Sequence, residues 1–370
     1  MSSIDKNHRP VIAVIGTRGF PGVQGGVEMH CQNIYTRLAG GGMAAVRIYR
    51  RKPYLCTDSM KPLPGIEYVD LPSTRIKGLE AVLHTLLCVL HIALHRPDVV
   101  HVHNIGPGMF APLLKLMGLR VVMTYHSPNY EHDKWNTAAK RLLKWCEGVS
   151  LRWCDRVIFV NKFQMHKFSP SVQAKSVYLP NGINAAATRS AATGFLQKHG
   201  IEPGGYLLGV GRLTPEKGFE HLVAAAQLLP EVSQVVIAGA SDHGSDYAQR
   251  LRALDAQHKV VFTGFTSGED LRQLYSHARL FVLSSVNEGF PLVLLEAMTY
   301  SLPVAVSDIP ASHLIKLSAD RYFKPASPQS MAAVIAHCLS ADPTTESYNL
   351  TDYDWDSIAR RTLAVLINND

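Results

Sequence analysis

Short apolar runs alternate with longer segments of helical pattern along the whole 370-residue chain. The runs span residues 11–15, 45–49, 99–102, 121–124, 156–160 and 176–179, and then 206–210, 234–238, 260–263, 280–283 and 303–306. Alternation of this kind is typical of parallel sheets covered by helices on both faces. Two such sets predict an α/β fold with two doubly wound, Rossmann-like domains.

The break between the two domains is predicted near residues 184–205. Residues 185–193 have no clear period, and Pro203, Gly204 and Gly205 precede a new strand. We therefore predict an N-terminal domain of residues 1–184, joined by a C-terminal helix within 352–370, and a second domain of residues 185–351. Because doubly wound sheets bind ligands beyond the carboxyl ends of their strands, we expect the domains to face each other across a ligand-binding cleft.

Charge is divided unevenly between the two halves. The net charge is +7. Residues 1–184 hold 23 basic and 11 acidic side chains, a balance of +12, and the remainder holds 14 and 19, a balance of −5. Residues 134–167 contain eight basic residues and two acids, with apolar residues at roughly helical spacing. Such a helix either rests on an anionic membrane surface or packs on its own domain with a solvated basic face.

The cysteines and the apolar segments predict a cytoplasmic protein. The six cysteines show no C-x-x-C pair and no disulfide-framework spacing, which is typical of reduced thiols. Residues 1–10 are polar and lack the apolar core of a signal peptide. Residues 79–94 are the most apolar long segment, but they fall short of the ~20 residues needed to cross a bilayer. We predict a buried helix there.

Two glutamates, Glu288 and Glu296, flank a predicted helix start at Pro291. This places Glu288 in the preceding loop and Glu296 about one and a half turns inside the helix. Free amides at a helix start favour an anion, and carboxylates accept hydroxyl hydrogens. The pair therefore fits a ligand with phosphates and many hydroxyls, a nucleotide sugar. The alternative is two solvated surface acids.

A glycine-rich loop follows the first predicted strand, with glycines at 16, 19, 22, 25 and 26. Such glycines let backbone amides approach a phosphate, although a tight turn explains one or two of them. The spacing is not the G-x-G-x-x-G fingerprint, and the second strand runs into basic residues rather than the acid that holds the ribose of NAD. These features argue against a dinucleotide-linked redox enzyme.

Arg212 and Lys217 follow the first strand of the second half, next to Gly211. Two cations at the carboxyl end of a strand can clamp a diphosphate and stabilise it as a leaving group. Solvated surface charges are the alternative interpretation.

Histidines occur at 101 and 103 on a predicted strand and at 126 just past another. His101 and His103 face the same side of their strand, which makes a metal site conceivable. No carboxylate or cysteine follows at ligand spacing, so we favour hydrogen-bonded structural histidines and expect no metal. His126 stands where a donor to a sugar or phosphate would be placed.

A family resemblance rests on motifs that cover nearly the whole chain. The sequence resembles the retaining GT-B glycosyltransferases of glycosyltransferase family 4. The motifs are Gly25-Gly26-Val27-Glu28-Met29-His30, His101-Val102-His103, Thr124-Tyr125-His126, Pro180-Asn181-Gly182-Ile183, Gly211-Arg212, Glu216-Lys217-Gly218, Gly239, Glu288-Gly289-Phe290-Pro291 and Glu296-Ala297. Residues 16–21 are also similar to a bacterial subgroup of surface-polysaccharide rhamnosyltransferases, but His30 stands where threonine is common, which leaves the donor open.

The resemblance implies specific roles for these residues. Arg212 and Lys217 would hold the donor diphosphate, Glu296 the ribose, and Glu288 the sugar, together with the amides of Gly289 and Phe290, while His126 would face the transferred sugar. The predicted catalytic residues are Arg212, Lys217, Glu288 and His126; the donor-binding residues are Gly25, Gly26, Gly211, Gly239, Gly289, Phe290, Pro291, Leu292 and Glu296; the acceptor-side candidates are Arg18, Glu28, His103 and Lys134. Catalysis in that family needs no metal or other cofactor.

The predicted activity is transfer of a hexose or deoxyhexose from a nucleotide sugar to a glycan or lipid-diphosphate-linked acceptor, in surface-polysaccharide synthesis. No nucleophile is paired with an acid, so Glu288 is expected to orient the sugar. A nucleotide-sugar epimerase of the same architecture is the alternative. A nucleic-acid binder is a third class, but the basic residues lack aromatic stacking motifs.

Overall fold

The computed structural model describes residues 9–23, 25–55, 63–74, 76, 79–128, 130, 136–184, 188–241, 246–340 and 346–368. The chain forms two compact units. Unit 1 comprises Met1–Gly182 and Tyr353–Asp370, and unit 2 comprises Ile183–Asp352. The predicted boundaries at 184 and 352 lie within two residues of these limits.

Unit 1 is built on a seven-stranded sheet in the order β3-β2-β1-β4-β5-β6-β7, and all pairings are parallel. Its strands are β1 Val11–Ile15, β2 Ala45–Arg51, β3 Ile66–Leu71, β4 Val99–His103, β5 Arg120–Tyr125, β6 Arg156–Phe159 and β7 Ser176–Tyr178. Its first seven helices are α1 Gly26–Gly40, α2 Leu79–Leu94, α3 Ile105–Gly108, α4 Ala111–Leu116, α5 Thr137–Trp153, α6 Lys162–Met165 and α7 Pro170–Ala174.

Unit 2 is built on a six-stranded sheet in the order β10-β9-β8-β11-β12-β13, again all parallel. Its strands are β8 Tyr206–Val210, β9 Gln234–Ala238, β10 Val260–Gly264, β11 Leu280–Leu283, β12 Val304–Ser307 and β13 Tyr322–Phe323. Its helices are α8 Gly194–Lys198, α9 Phe219–Gln227, α10 Asp246–Leu254, α11 Gly268–His277, α12 Leu292–Thr299 and α13 Pro328–Ser340. A last helix, α14 Trp355–Ile367, returns to unit 1.

The two faces of the first sheet are covered by different helices. Val100 and Val102 of β4 belong to an apolar core that includes side chains from α2, α3, α4 and α5. The alternate residues His101 and His103 face the other way, as the period of two requires, and both bond to Tyr35 of α1. Helix α14 packs on α1 at this second face. The polar groups of β4 therefore lie between the sheet and the α1–α14 layer.

The prediction of a buried helix at residues 79–94 was half wrong. The helix is present with those bounds, and His84, Cys88 and Ile92 are buried. Its other face leaves Leu79, Val82, Leu83, Leu86, Leu90 and Leu94 exposed, the last at 81%. The segment is apolar all round, so its sequence could not show which face packs on the sheet.

Two strands were missed by the sequence pattern. β3 contains Glu67 and Asp70, which bond to Arg47 and Arg50 of β2. It is an edge strand and therefore lacks the continuous apolar run of a buried one. β13 is only two residues long. Helix α12 begins at Leu292, with Pro291 as its N-cap rather than its first helical residue.

Five cysteines in the described part of the chain, at 31, 88, 146, 154 and 338, are free and buried. Burial raises the pKa of each of these thiols. Among the described residues, no helix combines the length and apolarity that spanning a membrane requires.

Candidate active site

The carboxyl edge of the second sheet carries the predicted donor-binding glycines. Gly211 follows β8 and Gly239 follows the neighbouring β9. A Cβ at residue 239 would lie 1.7 Å from the carbonyl oxygen of Gly211, so only glycine lets these two backbones approach. Their contact leaves the sheet edge without side chains at these two positions, where a ligand could approach the backbone, while the amides of Gly211 and Gly239 donate to the carbonyls of Ala238 and Gly264.

Lys217 is held at the same edge by the loop that follows β11. Gly218 has φ of 60°, and a Cβ there would lie 2.4 Å from the carbonyl oxygen of Ser284. The Ser284 hydroxyl donates to the Lys217 carbonyl at 2.7 Å, and the Val286 amide donates to the Glu216 carbonyl at 2.9 Å. These bonds fasten the turn carrying Lys217 to the loop carrying Glu288.

Lys217 and Glu288 form an ion pair that sequence reasoning did not anticipate. Lys217 Nζ lies 2.5 Å from Glu288 Oε1, and the Ser285 hydroxyl donates to the same oxygen at 2.7 Å. The side chains are only 17% and 11% exposed. Arg212 is one-third exposed and lies 3.7 Å from Glu216. The structure thus brings the predicted clamp lysine and the predicted sugar-binding glutamate into direct contact.

Glu296 lies on α12 and accepts a hydrogen bond from the Tyr275 hydroxyl at 2.9 Å. Burial raises the pKa of Glu296 to about 7, although the bond from Tyr275 lowers it in part. The neighbouring Phe290, Pro291 and Leu292 are buried, whereas Gly289 is partly exposed. The carboxyl group can therefore change its protonation state near neutral pH. Tyr275 was not predicted, because nothing in its helical pattern distinguishes it from a core aromatic.

In unit 1, the glycine-rich loop is organised by Glu28. The Arg18 amide donates to Glu28 Oε1 at 3.1 Å, and a Cβ at Gly25 would lie 2.0 Å from Glu28 Oε2. Glu28 is buried, and this burial raises its pKa even though the bond from Arg18 opposes the shift. Gly26 is the first residue of α1. Arg18 and Glu28, both predicted on the acceptor side, thus stabilise the loop. Lys134, a further acceptor-side candidate, lies outside the described residues.

A cluster of buried histidines lies at the carboxyl ends of β4 and β5, next to α1. His103 Nδ1 lies 3.0 Å from His126 Nε2, and His30 of α1 packs edge-on against His126 with ring centroids 4.9 Å apart. Tyr35 bridges His101 Nδ1 and His103 Nε2, each at 2.7 Å. His101 Nε2 contacts the Thr124 hydroxyl at 2.7 Å. We call His30, His103 and His126 the histidine cluster.

Burial lowers the pKa of every member of this cluster. The pKa of His30 falls to about 4, and those of His103 and His126 fall well below their ordinary value. The like charges of neighbouring imidazolium groups add to the shifts of His103 and His126. At neutral pH the rings are therefore uncharged and can each both donate and accept a hydrogen bond. His30 was quoted as a motif residue, but its neighbours were not foreseen.

The outer face of α5 mixes basic and aromatic side chains. Arg141, Lys144 and Arg152 are exposed beside Leu142, Trp145 and Trp153, and Trp145 is 56% exposed. The two acids within residues 134–167 bond to other side chains of unit 1. Glu147 accepts from the Tyr125 hydroxyl at 2.6 Å, and Asp155 pairs with Lys115 at 2.7 Å. The face is therefore basic and partly apolar.

Known proteins resemble the chain over almost its full length. Residues 24–187 match the domain described as Glycosyltransferase Family 4, and residues 195–353 match Glycosyl transferases group 1. An uncharacterized glycosyltransferase of Methanocaldococcus jannaschii is 37% identical over 96% of this chain and 97% of that protein. The O-antigen chain mannosyltransferase RfbU of Salmonella typhimurium is 28% identical over 44% of this chain and 47% of its own length.

Among solved structures, HepE of Anabaena in complex with UDP and glucose superposes with a TM-score of 0.75 at 18% identity. The match covers 97% of this chain and 99% of that one, and it shows a common fold. The fold prediction of two parallel-sheet α/β domains of GT-B type is confirmed. The chain belongs to the glycosyltransferases, with a family 4 domain followed by a group 1 domain.

Proposed function

We propose that this enzyme transfers a hexose or deoxyhexose from a nucleotide diphosphate sugar to a glycan or lipid-linked glycan, with retention of configuration. The observation that carries the proposal is the cluster of Lys217, Ser285 and Glu288 beside glycines 211 and 239. It combines a cation for a phosphate, a sheet edge whose glycines let a ligand approach the backbone, and a carboxylate for hydroxyl groups. RfbU, by its name, acts on O-antigen chains, and HepE binds UDP and glucose, which supports the same substrate class.

In the proposed reaction Lys217 exchanges its partner. Without ligand its charge is balanced by Glu288 at 2.5 Å. A donor diphosphate would draw the ammonium group to its oxygens, and Glu288 would then be free to accept hydrogens from the sugar. As the bond from the anomeric carbon to the diphosphate oxygen breaks, Lys217 and Arg212 would stabilise the charge on the leaving group. The acceptor's hydroxyl oxygen would form the new bond to the anomeric carbon on the same face of the sugar and pass its proton to the departing diphosphate oxygen, with no metal required.

The test is Lys217→Ala, measured by steady-state kinetics with a nucleotide sugar and acceptor. Loss of a contact to the charge that develops in the transition state should lower kcat by about 10² or more. Lys198→Ala, on the exposed end of α8, removes the same charge from unit 2 and serves as the matched control. Wild-type kinetics in the Lys217 variant would remove that residue from the role.

Thermal-shift measurements across UDP, GDP and dTDP sugars would identify the donor, because a ligand that binds only the folded state raises apparent stability. A second experiment follows the donor by NMR in the presence of enzyme and without acceptor, and it tests for epimerase activity. Conversion of the donor into a second sugar nucleotide would identify an epimerase and overturn the proposed transfer.

We further propose a cytoplasmic enzyme that docks on the inner membrane surface through α5. Exposed Trp145 and Leu142 lie among Arg141, Lys144 and Arg152, a pattern suited to the interface of an anionic bilayer. Trp145→Ser should weaken co-sedimentation with anionic vesicles. Leu228→Ser, which removes an exposed apolar side chain of unit 2, should not. Equal sedimentation with neutral and anionic vesicles would contradict the charge argument.

A further inference from the structure

A nitrogen lone pair without a partner points to a binding site that includes His30, a residue with no role in the proposed transfer. His30 Nδ1 lies 2.6 Å from Asn181 Oδ1, and a carbonyl oxygen can only accept, so Nδ1 carries the proton. His30 Nε2 therefore keeps its lone pair. This atom is buried and has no hydrogen-bond partner, on a residue only 2% exposed. A buried acceptor left in this state costs free energy unless a ligand satisfies it.

Hydrogen bonds around His103 can supply a second lone pair. A series of hydrogen bonds joins His103, Tyr35, His101 and Thr124, and all of them can be made with the donors pointing either toward Thr124 or toward His103. In one direction, His103 Nε2–H donates to the Tyr35 hydroxyl, which donates to His101 Nδ1. His103 Nδ1 is then an acceptor and faces His126 Nε2 at 3.0 Å. Metal-binding histidines almost always donate the N–H of their second ring nitrogen to such a partner. Here His103 Nε2–H donates to Tyr35, and Nδ1 is left for the metal.

We propose that His30 Nε2, His103 Nδ1 and His126 Nε2 form a binding site for a divalent transition metal of the Zn²⁺ type. One nitrogen from each of these three residues lies within 4.8 Å of the other two. Zn–N bonds of about 2.0–2.1 Å place tetrahedral ligands roughly 3.4 Å apart, so small side-chain movements suffice. Three imidazoles with a fourth position for water is a known zinc ligand set.

The ligand set selects the class of metal. The three groups are neutral imidazoles, and no carboxylate belongs to the set in the described residues. Hard cations such as Mg²⁺ and Ca²⁺ prefer oxygen ligands and should not compete. His126 would move its Nε2 proton to Nδ1 as the metal takes its place. The hydrogen bonds that His30 donates to Asn181 and His103 donates to Tyr35 would orient the other two rings.

Metal binding would block the transferase. This consequence, unlike the binding itself, rests on the proposed function and on the role that the family resemblance implies for His126, which is to face the transferred sugar. A metal bound to His126 Nε2 would prevent that nitrogen from contacting the substrate. We infer an inhibitory site for zinc, separate from a reaction that needs no metal.

The test begins with metal-free full-length protein, Zn²⁺ in competition with a chromophoric chelator, and Co²⁺ absorption spectroscopy. One tight equivalent of Zn²⁺ and the intense visible bands of tetrahedral Co²⁺ are expected. His30→Thr should lower zinc affinity by at least about tenfold. Tyr35→Phe, which removes the hydroxyl that bonds to His103 Nε2 and His101 Nδ1, should lower it by about 10–100-fold. Circular dichroism shows whether each variant is folded.

The double variant His91→Gln, His95→Gln is the control. His91 near the end of α2 and His95 just past it stack with ring centroids 4.2 Å apart, and His95 is exposed. They form a surface pair able to bind metal weakly. Tight binding should survive their removal. Octahedral Co²⁺ spectra in the wild type, or equal zinc affinity in folded His30→Thr, would overturn the site. Zinc that binds tightly without inhibiting transfer would leave the site standing and overturn the proposed role of His126.

Discussion

Replacing Glu296 by glutamine should stabilise unit 2, by an amount that depends on pH. The side chain is partly buried on α12, and the loss of solvation there raises the pKa of its carboxyl group to about 7 from an ordinary value of 4.5. The folded protein therefore holds the proton more tightly than the unfolded chain does. Glutamine has no proton to lose, and its side-chain oxygen can still accept the hydrogen bond from Tyr275.

The size of the effect follows from the difference between the two pKa values. Below about pH 4.5 the carboxyl group is protonated in both states and costs nothing. Between pH 4.5 and 7 the unfolded chain ionises first, so the wild type loses about 1.4 kcal/mol per pH unit. Above pH 7 the loss levels off at about 3 kcal/mol. The advantage of Glu296→Gln should therefore rise with pH and then reach a plateau.

Amide hydrogen exchange of the α11 and α12 peptides provides the measurement, at pH 5, 6, 7 and 8. All four tryptophans lie in unit 1 or outside the described residues, so indole fluorescence would not report on this unit. Glu231→Gln, at an exposed position of unit 2, removes the same charge and should differ little from the wild type at each pH. An advantage of Glu296→Gln that changes by less than about 1 kcal/mol across this range would refute the assignment.

Two further predictions follow from the same structure. If ionised Glu296 holds a ribose, nucleotide affinity should fall by up to about tenfold per pH unit below pH 7 in the wild type. Isothermal titration calorimetry should show no such pH dependence for Glu296→Gln. The same pH dependence in both proteins would contradict the role of Glu296. Gly16→Ala should destabilise unit 1 by more than about 1 kcal/mol in thermal unfolding, because Gly16 has a φ of 96° and a Cβ there would lie 2.1 Å from the His103 carbonyl oxygen. The control Gly148→Ala lies inside α5 with open space around it and should stabilise the unit by about 0.5–1 kcal/mol. Equal effects of the two substitutions would contradict the argument from backbone conformation.

Local pattern was enough to predict most of the fold. Buried parallel strands are mostly apolar, and 11 of the 13 strands in the described residues have the runs by which they were predicted. β3 was missed because an edge strand can place Glu67 and Asp70 where they pair with the arginines of β2. β13, with two residues, is too short for any periodic signal.

The candidate residues were named from motifs, but their contacts were not. Glycine spacing and the Glu288–Glu296 interval point to phosphate and hydroxyl groups, since these follow from backbone access and carboxylate chemistry. The ion pair of Lys217 with Glu288 joins residues 71 positions apart, and the bond of Tyr275 to Glu296 joins two helices. Hydrogen bonds at such separations depend on how the elements pack.

The sequence by itself determined that the chain folds into two parallel α/β units with glycine-containing loops at strand ends, because apolar runs and glycine spacing can be read from local pattern. Only the tertiary structure decided the protonation of Glu296, the exposed apolar face of α2 and the meeting of His30, His103 and His126. Each of these depends on burial or on contacts between distant segments. Burial and through-space distance are properties of packing, and no local period encodes them.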